Sequence, residues 1–173
     1  VLITLNESGS ADTDATPNVV LVAAKISDGS SALASDQTFT GTTDGVAPAI
    51  SATATLDSDN DGQIDQILVT LSEAITDGSS TLNNTTFTVA GYTVSNTTTG
   101  ASANDNKVLI TLTESGSADT DVTPNVVLVA AKISDGSSAL ASDQTFTGTT
   151  DTAPPAIIAA NTLDDDNDGQ IDQ

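Results

Sequence analysis

Apolar residues come in short runs rather than at helical spacing: VLITL at 1–5, QILVTL at 66–71, and NVVLVAAKI at both 18–26 and 125–133. Within 107–114, Val108, Ile110 and Leu112 alternate with Leu109, Thr111 and Thr113, the period of a strand with one face buried. Clusters of Gly, Asn, Asp and Pro bound each run. The pattern predicts seven strands between the two Pro-containing segments, at 49–55, 66–74, 85–90, 92–99, 107–114, 125–134 and 144–150. No segment carries a convincing helical period, so the chain reads as all-β.

Shifting the sequence against itself by 107 residues superimposes 1–66 on 108–173 with nine mismatches. A period that long exceeds a solenoid unit and matches one independently folded domain. The segments around Pro48 and Pro154-Pro155 recur at the same period and set the boundaries. Residues 46–152 are read as one complete repeat. Residues 1–45 are read as the last strands of another copy, and 153–173 as the first strand and loop of a third. Neither flank closes a core alone, so the polypeptide is expected to continue in both directions, or else separate chains complete one another by exchanging strands. Seven short strands in about a hundred residues is the size of an immunoglobulin-like sandwich, which predicts tandem immunoglobulin-like β-sandwich domains of about seven antiparallel strands per 107-residue repeat. The core is expected to be aliphatic, with Phe87 and Phe146 nearly its only aromatics, and Thr is expected on solvent-facing strand positions.

Composition removes whole classes of function. The formal charge is -21, and Lys25, Lys107 and Lys132 are the only basic residues, so no cationic stripe exists to follow nucleic acid or an anionic bilayer. With no Cys and no His, thiolate and imidazole metal sites, Cys nucleophiles and Ser-His-Asp triads are absent. Lack of Cys leaves the compartment open, since larger extracellular domains fold without disulfides. No apolar run is long enough to span a bilayer as a helix, and any signal or anchor is expected outside this segment.

One motif carries chemistry. Asp57-Ser58-Asp59-Asn60-Asp61-Gly62-Gln63-Ile64-Asp65 recurs as Asp164-Asp165-Asp166-Asn167-Asp168-Gly169-Gln170-Ile171-Asp172. It follows the D-x-[DN]-x-[DN]-G spacing of calcium loops, in which alternate carboxylates turn to one centre and Gly permits the bend. The expected ligands are Asp57, Asp59, Asp61 and Asp65, with a backbone carbonyl from Gln63, and in the second copy Asp164, Asp166, Asp168, Gln170 and Asp172. An EF-hand would place a Glu at the twelfth position, where this chain has Leu68 inside a strand, so this is a calcium loop without the EF-hand. The bland alternative is a solvated Asp/Asn/Gly turn.

These residues resemble the immunoglobulin-like tandem repeats of large bacterial surface proteins and adhesins, in which a Pro-marked linker leads to a D-x-D-x-D-G-x-I-D loop and a strand like Gln66-Ile67-Leu68-Val69-Thr70-Leu71-Ser72-Glu73. The resemblance implies extracellular display at a cell surface, secretion and a stalk or adhesive role, with no catalytic residues.

If successive strands alternate in direction, the loop at 57–65 shares a pole with 115–121, which adds Asp119 and Asp121. Glu114, in phase with Val108, Ile110 and Leu112, would cap it. Glu7, Asp12 and Asp14 are the same positions in the preceding copy. This pole leads into the next linker, and the facing pole of the following domain offers Glu73, Asp77, Asp105 and Asp135, with Asp44 and Asp151 in the linkers. Junctions between repeats are therefore expected to hold Ca2+ as well, unless Asp77-Gly78 and Asp135-Gly136 are ordinary turns.

The expected function is a structural, calcium-stiffened element of a stalk, adhesin or extracellular filament, with neighbouring repeats or identical subunits as partners. The alternatives are a multivalent module gripping a surface glycan or protein, for which Tyr92 is the one aromatic that stands out in the loops, and a self-assembling fibre or surface-layer subunit. An enzyme with paired carboxylates has no distinctive cleft signal behind it. Asn83, Asn84 and Asn96 begin N-x-Ser/Thr triplets, and Lys132 is a candidate for an isopeptide link to an Asn.

Overall fold

The computed structural model describes residues 2–7, 9 and 11–172. Strands β1 (Val19–Leu21) and β2 (Gln37–Phe39) lie in the first copy; β3 (Ile50–Leu56), β4 (Gln66–Leu71), β5 (Phe87–Val89), β6 (Thr93–Thr98), β7 (Lys107–Thr113), β8 (Val126–Leu128) and β9 (Gln144–Phe146) make up the central repeat. Its only helical element is a single 3-10 turn, Asp77–Ser79. No helix among the described residues is long and apolar enough to cross a membrane.

All ladders are antiparallel and form two sheets in the central repeat, one in the order β3-β4-β7-β6 and the other β5-β8-β9. Strict alternation explains how they meet. Ile67, Val69 and Leu71 of β4 and Val108, Ile110 and Leu112 of β7 face inward, with Ile67 opposite Ile110 and Val69 opposite Val108. Phe87, Val89, Val126 and Leu128 of the other sheet complete the same cluster. Burying an aliphatic side chain of this size contributes about 1.5–3 kcal/mol, which is what holds the two sheets face to face, as in a β-sandwich. The chain after β9 returns to the first sheet: Thr55 N–H donates to Thr150 O at 3.0 Å and Thr150 N–H to Thr53 O at 2.9 Å.

Threonine does not keep to the outside. Thr53, Thr55, Thr86, Thr97 and Thr149 are buried. The β3 register shifts between Ile50 and Ala52, and the inward positions that follow fall on Thr53 and Thr55. Their hydroxyls bond at the edge where the sheets meet: Thr53 Oγ1 lies 2.7 Å from Thr149 Oγ1, which donates to Pro124 O at 2.6 Å.

The first copy repeats the β8–β9 ladder: Val19 pairs with Phe39 as Val126 pairs with Phe146. The faces differ in cover. Ile133 is 1% exposed and its counterpart Ile26 is 43% exposed. Residues 154–163 carry no strand. Their counterpart β3 exists by pairing with β4, and a strand without a ladder partner is not held extended.

Candidate metal centre

The site begins with a charge in a core row. Inward positions along β3 are Thr53 and Thr55, and the next in phase is Asp57, 7% exposed. A buried carboxylate is tolerated only when hydrogen-bonded, and the chain winds around this one: Asn60 N–H donates to Oδ1 at 2.7 Å and Gly62 N–H to Oδ2 at 2.9 Å. That path requires left-handed backbone at Asn60 (φ 62) and Gly62 (φ 95), which Asn and Gly adopt most readily. The neck is closed by Asp65, whose N–H donates to Leu56 O at 3.1 Å and whose carboxylate accepts the Ser58 N–H at 2.9 Å and the Ser58 hydroxyl. Gln63, expected to offer its backbone carbonyl, uses its N–H (2.9 Å) and side-chain amide (2.8 Å) to hold Asp61.

Two acidic groups result. One oxygen each of Asp57, Asp59 and Asp61 lie within 4.8 Å of one another, and so do one each of Asp59, Asp65 and Glu114. Oxygens on one calcium at roughly 2.3–2.6 Å can be no more than about 5 Å apart, so the spacing and the all-oxygen donor set fit that ion. Glu114 reaches the group from one residue beyond β7; it is exposed rather than inward. The charge of Asp61 pushes its carboxyl above the ordinary Glu value, followed by desolvation and the charges of Asp59, Asp65 and Asp57.

The second copy forms the same loop. Asn167 (φ 58) and Gly169 (φ 85) are left-handed, Gly169 N–H donates to Asp164 Oδ2 at 2.9 Å, Asp165 N–H to Asp172 Oδ2 at 2.8 Å, and the Gln170 amide to Asp168 Oδ2 at 2.7 Å. Asp164, Asp166 and Asp172 lie within 4.8 Å of one another. This copy is exposed and has no ladder beside it, so the conformation is local to the nine residues.

The 115–121 loop does lie against 57–65, but Asp119 plays another part. Asp119 N–H donates to Gly62 O at 3.0 Å, while its carboxylate accepts the Ile64 N–H at 2.7 Å and the Tyr92 hydroxyl at 2.7 Å. Asp119 is a clamp. Burial first, then the bond to Asp119 and the charges of Asp119 and Asp121, raise the Tyr92 phenol well above its ordinary value. The partnership of Tyr92 with Asp119 has no signal in the sequence, since the two are 27 residues apart. Asp121 and, in the preceding copy, Glu7, Asp12 and Asp14 join no acidic group among the described residues.

No protein family, curated protein or solved structure matches this chain.

At the opposite pole, Asp44, Glu73 and Asp135 converge, with one oxygen each within 4.8 Å. The other junction candidates hold backbone: Asp105 Oδ1 accepts the Lys107 N–H (2.8 Å) and Asp151 Oδ1 the Ala153 N–H (3.1 Å) in local turns, while Asp77 Oδ2 accepts the N–H of Asn104 (3.1 Å) from a loop 27 residues away. Lys132 donates to the Thr85 hydroxyl at 3.0 Å.

Proposed function

We propose that this chain is a calcium-binding structural repeat, of immunoglobulin-like strand order, from an extracellular stalk, adhesin or filament. The observation that carries the reading is the aspartate loop formed twice, at 57–65 and 164–172, with the same Gly N–H bond to its first Asp and with three carboxylates in each copy at the spacing a hard cation needs. Strand order supports the fold assignment: counted along the repeat, strands one, two, five and four form one sheet and three, six and seven the other, the division of constant-type immunoglobulin domains.

The residues divide the work. Asp57 and Asp65 shape the loop through the backbone, Asp59, Asp61 and Glu114 complete the ring of charge, and Asp119 fastens the neighbouring loop. Bound calcium would supply neutralisation and fixed geometry. Ile158 of the outgoing linker rests over Gly62, so ordering the loop orders the surface that carries the next segment, and a flexible joint becomes stiffer. At a calcium concentration about 100-fold above the dissociation constant, binding adds roughly 2.7 kcal/mol per site, appreciable against a domain stability of about 5–15 kcal/mol.

Calorimetric titration with calcium, with melting curves and electron imaging in calcium and in chelator, tests this. Uptake at or below millimolar concentration, a higher melting temperature and straighter particles in calcium are expected. Absence of uptake together with unchanged melting and particle shape overturns it.

A further inference from the structure

We propose that Asp44, Glu73 and Asp135 form a second divalent-cation site, at the pole opposite the aspartate loop, which pins the incoming linker to the domain. Glu73 continues the inward row of β4 after Ile67, Val69 and Leu71 and is 5% exposed. A core-facing charge of this kind costs several kcal/mol unless it is paired, and the Oε1 of Glu73 has no hydrogen-bond partner.

Asp135 presents a second such oxygen. Its Oδ1 accepts the N–H groups of Ser137 and Ser138 at 2.5 and 2.6 Å, and its Oδ2 is buried without a partner. The same turn forms in the preceding copy, where Asp28 Oδ1 accepts Ser30 and Ser31 N–H at 2.9 and 2.8 Å. The sequence therefore builds this turn in both copies, and in the complete repeat it leaves one oxygen free beside Glu73. Asp44 arrives from the linker, using Oδ1 to hold the Val46 N–H at 3.0 Å.

Three carboxylates from the linker, the end of a strand and a distant turn thus meet within 4.8 Å, with two buried oxygens unsatisfied. Hard oxygen donors alone select calcium or a similar cation over a transition metal. The place matters for mechanics: next to Glu73, Ser72 Oγ accepts the Ala49 N–H at 3.0 Å and the hydroxyl of Thr13, from the preceding copy, at 2.8 Å. A cation here would fix the entry of the linker at the point where that copy touches the domain.

The proposal rests on the reading of these repeats as held by calcium, but uses none of the loop residues, so the two can fail separately. The test counts calcium ions per chain, by calorimetry and equilibrium dialysis, for the 173-residue chain and its Glu73→Gln, Asp44→Asn and Asp61→Asn variants. Glu73→Gln and Asp44→Asn are each expected to bind one ion fewer than the parent, and Asp61→Asn is expected to weaken loop binding and keep the junction ion. Asp44 lies in the linker and half-exposed, so its variant reports binding even if Glu73→Gln fails to fold. Unchanged stoichiometry in Asp44→Asn overturns the site and assigns the unpaired oxygens to a shared proton. Abolition of all uptake by Asp61→Asn also overturns it while leaving the loop standing, and no uptake by the parent overturns both.

Discussion

Asp57 and Glu73 hold the same position at opposite poles of the domain, each two residues beyond a buried member of an inward row, Thr55 for one and Leu71 for the other. Their surroundings differ. Both oxygens of Asp57 accept backbone N–H groups, while Oε1 of Glu73 accepts none. Desolvation therefore dominates at Glu73 and pushes its carboxyl above the ordinary Glu value, with the charges of Asp44 and Asp135 adding to the effect.

Asp57→Ala is expected to destabilise the chain even without calcium, by about 3 kcal/mol, because two backbone donors lose a charged acceptor. Asp59→Ala is expected to stay within about 0.5 kcal/mol in chelator, since Asp59 is exposed and accepts only the Asp61 N–H at 3.3 Å, yet to weaken calcium uptake. Urea denaturation in chelator, paired with calcium titration, separates the shaping residue from the charge-supplying one.

What the sequence disclosed was local or periodic. The loop was legible because nine residues suffice to build it, as the unsupported copy at 164–172 demonstrates. Strands appeared at all seven expected places but ran short where the next contact is long-range. The expected 125–134 strand ends at Leu128, because the chain turns at Ala131 (φ 58), whose N–H donates to Leu140 O at 2.9 Å. The expected 144–150 strand ends at Phe146, its continuation crossing to Ala54 as an isolated bridge at Thr150. Alternation could not reveal that Thr53 and Thr55 face inward, since the register shift after Ile50 is set by pairing with β4. The clamp of Tyr92 on Asp119 was equally out of reach.

The raised Glu114 and Glu73 carboxyls give the calcium-free chain a pH dependence of definite sign. A carboxyl whose folded value exceeds its unfolded one adds stability below the unfolded value, near 4.5 for Glu, and that stability is lost as pH climbs through the folded value. In chelator the melting temperature is expected to be higher near about pH 5 than at neutrality, and Glu114→Gln to flatten the difference. Asp28, held down to about 2 by backbone bonds from Ser30 and Ser31, acts oppositely but only in more acid solution, outside this window. A calorimetric scan across pH that rose steadily toward neutrality would contradict the prediction.

Buried threonines separate a satisfied hydroxyl from an orphan. Thr97 Oγ1 is buried without a partner, so the near-isosteric Thr97→Val is expected to stabilise the domain by about 1 kcal/mol. Thr149 Oγ1 bonds both Thr53 Oγ1 and Pro124 O, and Thr149→Val is expected to cost about 2 kcal/mol by stranding both groups. Urea midpoints that shift in these opposite directions at constant slope would establish the assignment.

Gly62 is constrained twice. Its φ of 95 is costly for any residue with a Cβ, and that Cβ would lie 2.7 Å from Ile158 Cγ2. Gly62→Ala is thus expected to cost about 1–3 kcal/mol for the backbone alone, plus the displacement of Ile158. Because Ile158 is itself 66% exposed, Ile158→Ala should cost little, and in that background the Gly62→Ala penalty should shrink to its backbone part. A double-mutant cycle measures the difference as a coupling energy. A coupling indistinguishable from zero would mean that the outgoing linker does not rest on the aspartate loop, and loop order would then have no route through Ile158 to the stiffness of the joint.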